Sequence, residues 1–244
     1  MNTYGVRFLM PFDGTWFYGD TLFVVDPWFW LLCAAGVVSA HSATRASRLR
    51  WLILASLASA VVMMTSFVPV VAKLIWCLGL AGTVGLSHYG PSSRPIARAA
   101  LVILGLYIGT MWTTSRQTAA LARAWLESDA TEVTSLVSSP MPANPFTWRL
   151  VATTPRAHHE LFVRWLGDPV VVAAGRPLPI DGGAADIAAR ARASVPGTAT
   201  WLRIPSYEIR EDGNRCLVIV RDLRYTWDAE SGFGVARIGI DEPS

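Results

Sequence analysis

The N-terminal stretch from Tyr4 to Trp30 reads YGVRFLMPFDGTWFYGDTLFVVDPWFW. It is dense in aromatic side chains, yet it contains one arginine and three carboxylates: Arg7, Asp13, Asp20 and Asp26. A membrane interface accommodates this mixture, because Trp and Tyr place an apolar ring and a polar tip at the level of the lipid headgroups. Asp26-Pro27 is also a helix-start signal. Asp accepts hydrogen bonds from the first free N–H groups of a helix, and Pro suits the next position because the N–H there would have no partner within the helix. The sequence predicts a structured loop that enters the bilayer at Asp26.

The composition points the same way. Of the 244 residues 52% are hydrophobic and only 16% are charged, which is typical of membrane spans joined to an extramembrane part. Residues 1–113 carry seven Lys/Arg and three Asp, whereas residues 114–244 carry fourteen Arg and fifteen Asp/Glu. The basic excess therefore lies in the apolar half, where positive loops orient spans, and it gives no support for nucleic-acid binding.

Four apolar segments, at about 27–40, 51–68, 70–86 and 97–112, are each predicted to cross the membrane, the first with help from residues 21–25. Arginines occupy the loops at 41–50 and 88–98, so the positive-inside rule places these loops in the cytoplasm. The N-terminal loop and everything after Thr113 are then expected on the outer, periplasmic side of a multi-pass protein of the inner (plasma) membrane.

The predicted fold is an α-helical membrane domain of about four transmembrane helices, followed by a small β-rich extramembrane domain. The expected domains are residues 1–113, an amphipathic helix and linker at 114–139, and a β-rich domain at 140–244. The helix is expected to run to Ser138, and the linker from 138 to 145. Strands are predicted at 147–153, 160–166, 169–173, 200–204, 215–222 and 234–240, with a hairpin turn at Asp212-Gly213-Asn214 and a short helix at 184–194.

Candidate site residues lie first in the N-terminal stretch, because an ionisable group at a membrane is costly and therefore a functional hypothesis. Each has a structural alternative. Asp26 is also a helix N-cap, Asp13-Gly14 is also a plain turn, and Asp20 follows Gly19 and is also a turn residue. Arg7 is expected to pair with one of these carboxylates or to bind a lipid phosphate.

Metal-ligating patterns are sparse. His41 and His88 stand in the predicted cytoplasmic loops, and the three cysteines, Cys33, Cys77 and Cys216, have no metal-like spacing. His158 and Glu160 are the weak metal candidates, because residues two apart on a strand share a face; the alternative is a solvated strand edge. The chain has no GxSxG elbow and no paired Cys/His for nucleophilic catalysis.

A family resemblance rests on Asn2-Thr3-Tyr4-Gly5, Leu9-Met10-Pro11-Phe12, Trp16, Asp20 and Phe23 to Pro27, and more loosely on residues 144–149 and 222–225. These residues resemble the membrane-bound metal-dependent hydrolase family, which includes inner-membrane proteins of the YdjM type. The resemblance implies a zinc-like divalent metal and places Tyr4, Arg7 and Asp20 near the site. The family's metal ligands, an HRGxTHS-like motif and a His-x-x-x-Asp pair, would lie upstream of Met1, which implies a longer form or a truncated relative.

Two functions follow as expectations. The first is a hydrolase in which metal-activated water attacks a membrane-associated ester or phosphoester, such as a phospholipid, if the full-length form exists. The alternative is a non-catalytic, membrane-anchored scaffold or binding protein with a periplasmic β domain. A transporter is less favoured, since the predicted spans hold little polarity beyond Asp26 and Lys73.

Overall fold

The computed structural model describes residues 3–41, 44–66, 68–89, 93–212, 215–227 and 234–241. The chain forms two compact units. The first comprises Met1–Thr118, Ser138–Arg149 and Arg164–Pro169, and the second comprises Ala119–Val137, Leu150–Val163 and Val170–Ser244.

Four helices make up most of the N-terminal half: α1 (Pro27–His41), α2 (Arg45–Met64), α3 (Val70–Tyr89) and α4 (Ser93–Ser128). The predicted start signal of α1 is present, since Asp26 accepts a hydrogen bond from the backbone N–H of Phe29. Thr44, which was not predicted as a cap, caps α2 by accepting a hydrogen bond from the Ser47 N–H.

The prediction of four transmembrane helices is wrong. Within the described residues only α4 is long and apolar enough to cross a membrane; the apolar parts of the other helices are shorter, at Pro27–Val37, Leu49–Met64 and Val70–Leu86. Residues 21–25 do not extend α1, which begins only at Pro27 and has 15 residues. At 1.5 Å per residue α1 is therefore about 22 Å long, less than the ~30 Å of a bilayer core.

The core of the first unit is aromatic. Trp28 of α1 packs edge-on against Trp76 of α3, with ring centroids 5.7 Å apart. Val62, Val68, Ala72 and Ala143 complete the buried cluster. Both indole N–H groups are satisfied, since Trp28 donates to the Ala143 carbonyl (3.3 Å) and Trp76 to the Ser59 hydroxyl (3.0 Å).

Seven strands follow α4 in the described part of the chain. The first sheet has the order β1 (Ser135–Met141), β2 (Asn144–Thr153), β3 (Ala157–Arg164) and β4 (Val170–Pro179). The second is an antiparallel sheet of β5 (Pro205–Asp212), β6 (Arg215–Asp222) and β7 (Val235–Asp241). Along the chain, α5 (Ala185–Ser194) and α6 (Pro196–Trp201) come between β4 and β5. Ala188 and Ala191 of α5 pack on the Tyr207–Val218–Val220 face of the second sheet.

Several segment predictions need correction. Helix α4 ends at Ser128 because Ala130 adopts a positive φ of 56° and its N–H turns back to the Glu127 carbonyl. The predicted end of the helix and the predicted linker are instead β1 and the start of β2. The strand predicted at 200–204 is absent, since α6 occupies its start. The turn at Gly213-Asn214 lies outside the described residues, although Asp212 and Arg215 beside it are paired.

Candidate functional site

The residues from Tyr4 to Tyr18, which we call the aromatic hairpin, form a small folded element. Val6 and Phe17 exchange two backbone hydrogen bonds of 3.0 and 2.9 Å. Phe8 packs on Phe17 with ring centroids 5.8 Å apart. Gly5 has a φ of +82°, and a Cβ there would lie 2.5 Å from a ring carbon of Tyr18, so this position requires glycine. Tyr4 is half-buried at its open end.

Two charged candidates lie in this hairpin, but they do not pair. Asp13 is a turn residue, as the structural alternative predicted. Its Oδ1 accepts hydrogen bonds from the N–H (2.9 Å) and the hydroxyl (2.7 Å) of Thr15, and these bonds lower the pKa of the carboxyl. The Arg7 guanidinium lies over the Trp16 ring, 4.5 Å from its centroid. Arg7 forms no ion pair with a described carboxylate, so the expected pairing is not seen.

Asp20 connects the entry stretch to α4. It adopts a positive φ of 49°, which is consistent with a turn residue. Its carbonyl accepts a 2.7 Å hydrogen bond from the Ser115 hydroxyl. The same hydroxyl lies 2.9 Å from that of Ser138 in β1. The backbone of Asp20 therefore has a fixed position along α4.

Asp26 has a second partner beyond its capping role. Its Oδ1 accepts from the Phe29 N–H at 3.0 Å, and its Oδ2 accepts from the Tyr107 hydroxyl of α4 at 2.8 Å. The residue is only 6% exposed. No basic side chain in the described part of the chain pairs with it. Asp26 is thus a buried carboxylate held by hydrogen bonds alone.

Sequence reasoning missed Tyr107, which lies among apolar neighbours in the uncharged segment between Arg98 and Arg116. A phenol in such a segment is a signal in itself, because a buried hydroxyl needs a hydrogen-bond partner. The pattern did not show which partner, since Asp26 lies 81 positions away.

His158 and Glu160 do not form a metal site. The His158 ring is buried, with Nδ1 3.1 Å from the Thr153 hydroxyl and Nε2 3.2 Å from the Pro205 carbonyl, so both nitrogens are occupied. Burial lowers the pKa of His158. It also lowers the pKa of His159, which is less buried. Glu160 is half-buried on the same strand. The expected solvated edge is therefore wrong for His158, which is a structural histidine.

A second buried polar cluster was not foreseen. The Arg224 guanidinium donates to Asp222 at 2.7 and 2.9 Å and to the Trp201 carbonyl at 2.8 Å. The Asp222 carboxylate also accepts the backbone N–H groups of Arg203 and Arg224 at 2.9 and 3.0 Å. Arg224 lies 4.9 Å from the ring centroids of both Trp201 and Tyr225. This arrangement secures the loop after β6 and leaves no oxygen of Asp222 without a donor.

The described residues do not fit the divalent metal that the hydrolase resemblance implies. No group of three His, Cys, Asp or Glu side chains in these ranges could hold an ion. Comparisons with protein-family models, curated proteins and solved structures found no match. The resemblance and the near-site roles that it gives Tyr4, Arg7 and Asp20 therefore stay predictions.

Proposed function

We propose that the protein is a membrane-anchored binding or scaffold protein of the inner (plasma) membrane, in which α4 spans the bilayer. The observation that carries this proposal is the exposure of α4. Leu101, Val102, Ile103 and Leu106 are 50–67% exposed although they lie in its most apolar part. Only 17% of its most apolar window is buried, whereas the core helix of a soluble protein is mostly buried.

The length of the apolar segment supports the same proposal. No charged residue occurs between Arg98 and Arg116, which are 18 positions apart. At 1.5 Å per residue this distance is about 27 Å, and the long arginine side chains can extend to the headgroups of a ~30 Å core. Trp112 and Arg116 form a cation–π pair, 5.4 Å from guanidinium to ring centroid, of the kind suited to an interface.

For the orientation we keep the one expected from the sequence, with the Arg94 end of α4 in the cytoplasm. Two arginines, Arg94 and Arg98, precede the uncharged segment and two, Arg116 and Arg123, follow it, so the further arginines of the loop at 41–50 carry this expectation. The chain after Ser128 then lies on the outer side. The N-terminal loop is attached near the Arg116 end of the segment, because the Asp20 carbonyl accepts a hydrogen bond from the Ser115 hydroxyl.

A binding role is supported by β4. This strand lies at the end of its sheet order, and Val170 and Val172 on it are exposed. An edge strand offers unpaired backbone groups to an extended segment of another protein, and exposed side chains beside it add apolar contact. We therefore propose a protein segment in extended conformation as the partner of this edge. The hydrolase function stays a prediction, and no chemical step is assigned to it.

Two experiments test the two halves of the proposal. For the anchor, alkaline phosphatase fused after Ser244 should be active and the protein should resist carbonate extraction; release by carbonate would disprove anchoring. For binding, a photo-crosslinker at Val172 should give discrete protein adducts in living cells, whereas one at the exposed Ala193 of α5 should not. Equal crosslinking at both positions, or none at Val172, would remove the support for binding at β4.

A further inference from the structure

The aromatic hairpin carries its most exposed apolar side chains at its tip. Phe12 is 95% exposed and Phe8 is 60% exposed, and Leu9 and Met10 between them are about half exposed. No charged residue occurs between Arg7 and Asp13. A contiguous apolar tip of this kind on a folded element marks an interaction surface with a protein or a membrane.

The tip is already ordered. The Leu9 carbonyl accepts hydrogen bonds from the N–H groups of Phe12 (2.8 Å) and Asp13 (2.9 Å), which closes the turn. The Val6–Phe17 bridge holds the two arms together. Insertion of these side chains into another phase would therefore cost little conformational entropy.

The position of the hairpin along α4 identifies the phase that it meets. The chain leaves the hairpin at Tyr18, and two residues later the Asp20 carbonyl binds Ser115. Ser115 is the neighbour of Arg116, which lies over Trp112, and these residues mark the outer end of the uncharged segment. The hairpin thus begins at the level where a bilayer crossed by α4 has its headgroups.

We propose that the tip, residues 8–12, inserts into the boundary between headgroups and acyl chains at the Arg116 end of the α4 span, and that Arg7 binds lipid phosphate at its base. The proposal rests on the membrane span of α4. Arg7 suits the phosphate because it has no carboxylate partner among the described residues, and because Trp16 holds its guanidinium as a flat donor group. An aromatic tip with a cation at its base matches the amphipathic pattern of interfacial segments.

The test uses the full chain in lipid nanodiscs, with its three cysteines replaced by alanine. One cysteine is then introduced and labelled with an environment-sensitive fluorophore: Phe12→Cys for the tip, Leu106→Cys for the α4 span, and Ala193→Cys as an extramembrane control. Doxyl lipids with the quencher near the headgroup or deep in the acyl chain report depth. We expect shallow quenching at position 12, deep quenching at position 106 and none at position 193.

The outcomes separate this inference from the proposed function. Deep quenching at 106 without quenching at 12 would overturn the tip insertion and leave the anchor intact. No quenching at 106 would overturn the anchor itself. A label at 12 that is unquenched in nanodiscs, yet shielded from aqueous quenchers in native membranes, would identify a protein as the occupant and overturn the lipid assignment.

A second measurement needs no cysteine replacement. Chymotrypsin cleaves after aromatic and large apolar residues, so the exposed tip of the native chain should be cut in a mild detergent that leaves the tip accessible. In nanodiscs containing anionic lipid, cleavage within residues 8–12 should be lost, and Arg7→Gln should restore part of it. A cleavage site in the second unit serves as the control and should be cut equally in nanodiscs and in detergent. If the tip were also cut equally in both, the proposal would be overturned.

Discussion

Replacing Leu106 by arginine should prevent α4 from crossing the membrane. Leu106 lies eight residues from Arg98 and ten from Arg116, or about 12 and 15 Å along the helix, which is close to the bilayer centre in the proposed span. An arginine there costs about 2.5–3.5 kcal/mol on an insertion scale, and the lost leucine about 0.5 kcal/mol more. The sum of about 3–4 kcal/mol corresponds to a few hundredfold in the insertion equilibrium. Because Leu106 is 66% exposed, little packing within the protein is lost with it.

The assay is glycosylation of an acceptor site fused after Ser244, during translation of the full chain into microsomes. The unaltered chain should be glycosylated, and the Leu106→Arg chain should lose most of this modification. Gln117→Arg is the matched control, because it adds the same charge next to Arg116, just outside the uncharged segment, and should have little effect. Normal glycosylation of the Leu106→Arg chain would refute the spanning assignment of α4.

Three further predictions use thermal denaturation. Asp26→Asn removes the buried charge but keeps a capping oxygen, so it should leave the midpoint temperature of unfolding unchanged or raise it. Asp26→Ala should lower the free energy of unfolding by about 1–2 kcal/mol. Equal losses of stability in the two variants would contradict the capping role. Gly182→Ala should destabilise the protein more than Gly183→Ala. Both positions have a positive φ, but only at Gly182 would a Cβ meet the Tyr207 carbonyl oxygen, at 2.6 Å. Equal losses of stability would contradict that clash. The lowered pKa of His158 means that the unfolded chain takes up the proton first, so stability should fall as the pH drops through about 6.5. His158→Gln should flatten this dependence, and an unchanged slope would assign it to other groups.

Local signals predicted the start of α1 and the bounds of β6, but they did not predict how many of the described helices are long and apolar enough to cross a membrane. Asp26-Pro27 marks the start of α1, and the apolar alternation at 215–222 matches β6 residue for residue. Hydropathy alone extended the first span back through residues 21–25. The backbone turns there instead, because Thr21 and Gly19 form a local hydrogen bond and helical geometry begins only after the cap.

The β1 strand shows a different limit. Residues 135–141 read SLVSSPM, a composition that favours a loop when considered alone. In the folded chain this segment pairs with β2, and Ser138 becomes buried against Ser115 of α4. Whether such a segment forms a strand depends on its tertiary partners, which the sequence alone does not identify.

The same limit applies to the entry stretch, whose position depends on two hydrogen bonds across 95 and 81 residues. Asp20 binds α4 at Ser115, and Asp26 binds it at Tyr107, eight residues nearer to the helix start. The chain therefore descends along α4, in the opposite direction, by about 12 Å in six residues. Ser115 and Tyr107 hold the two ends of this stretch against α4, so its course depends on tertiary partners that no local pattern in the sequence identifies.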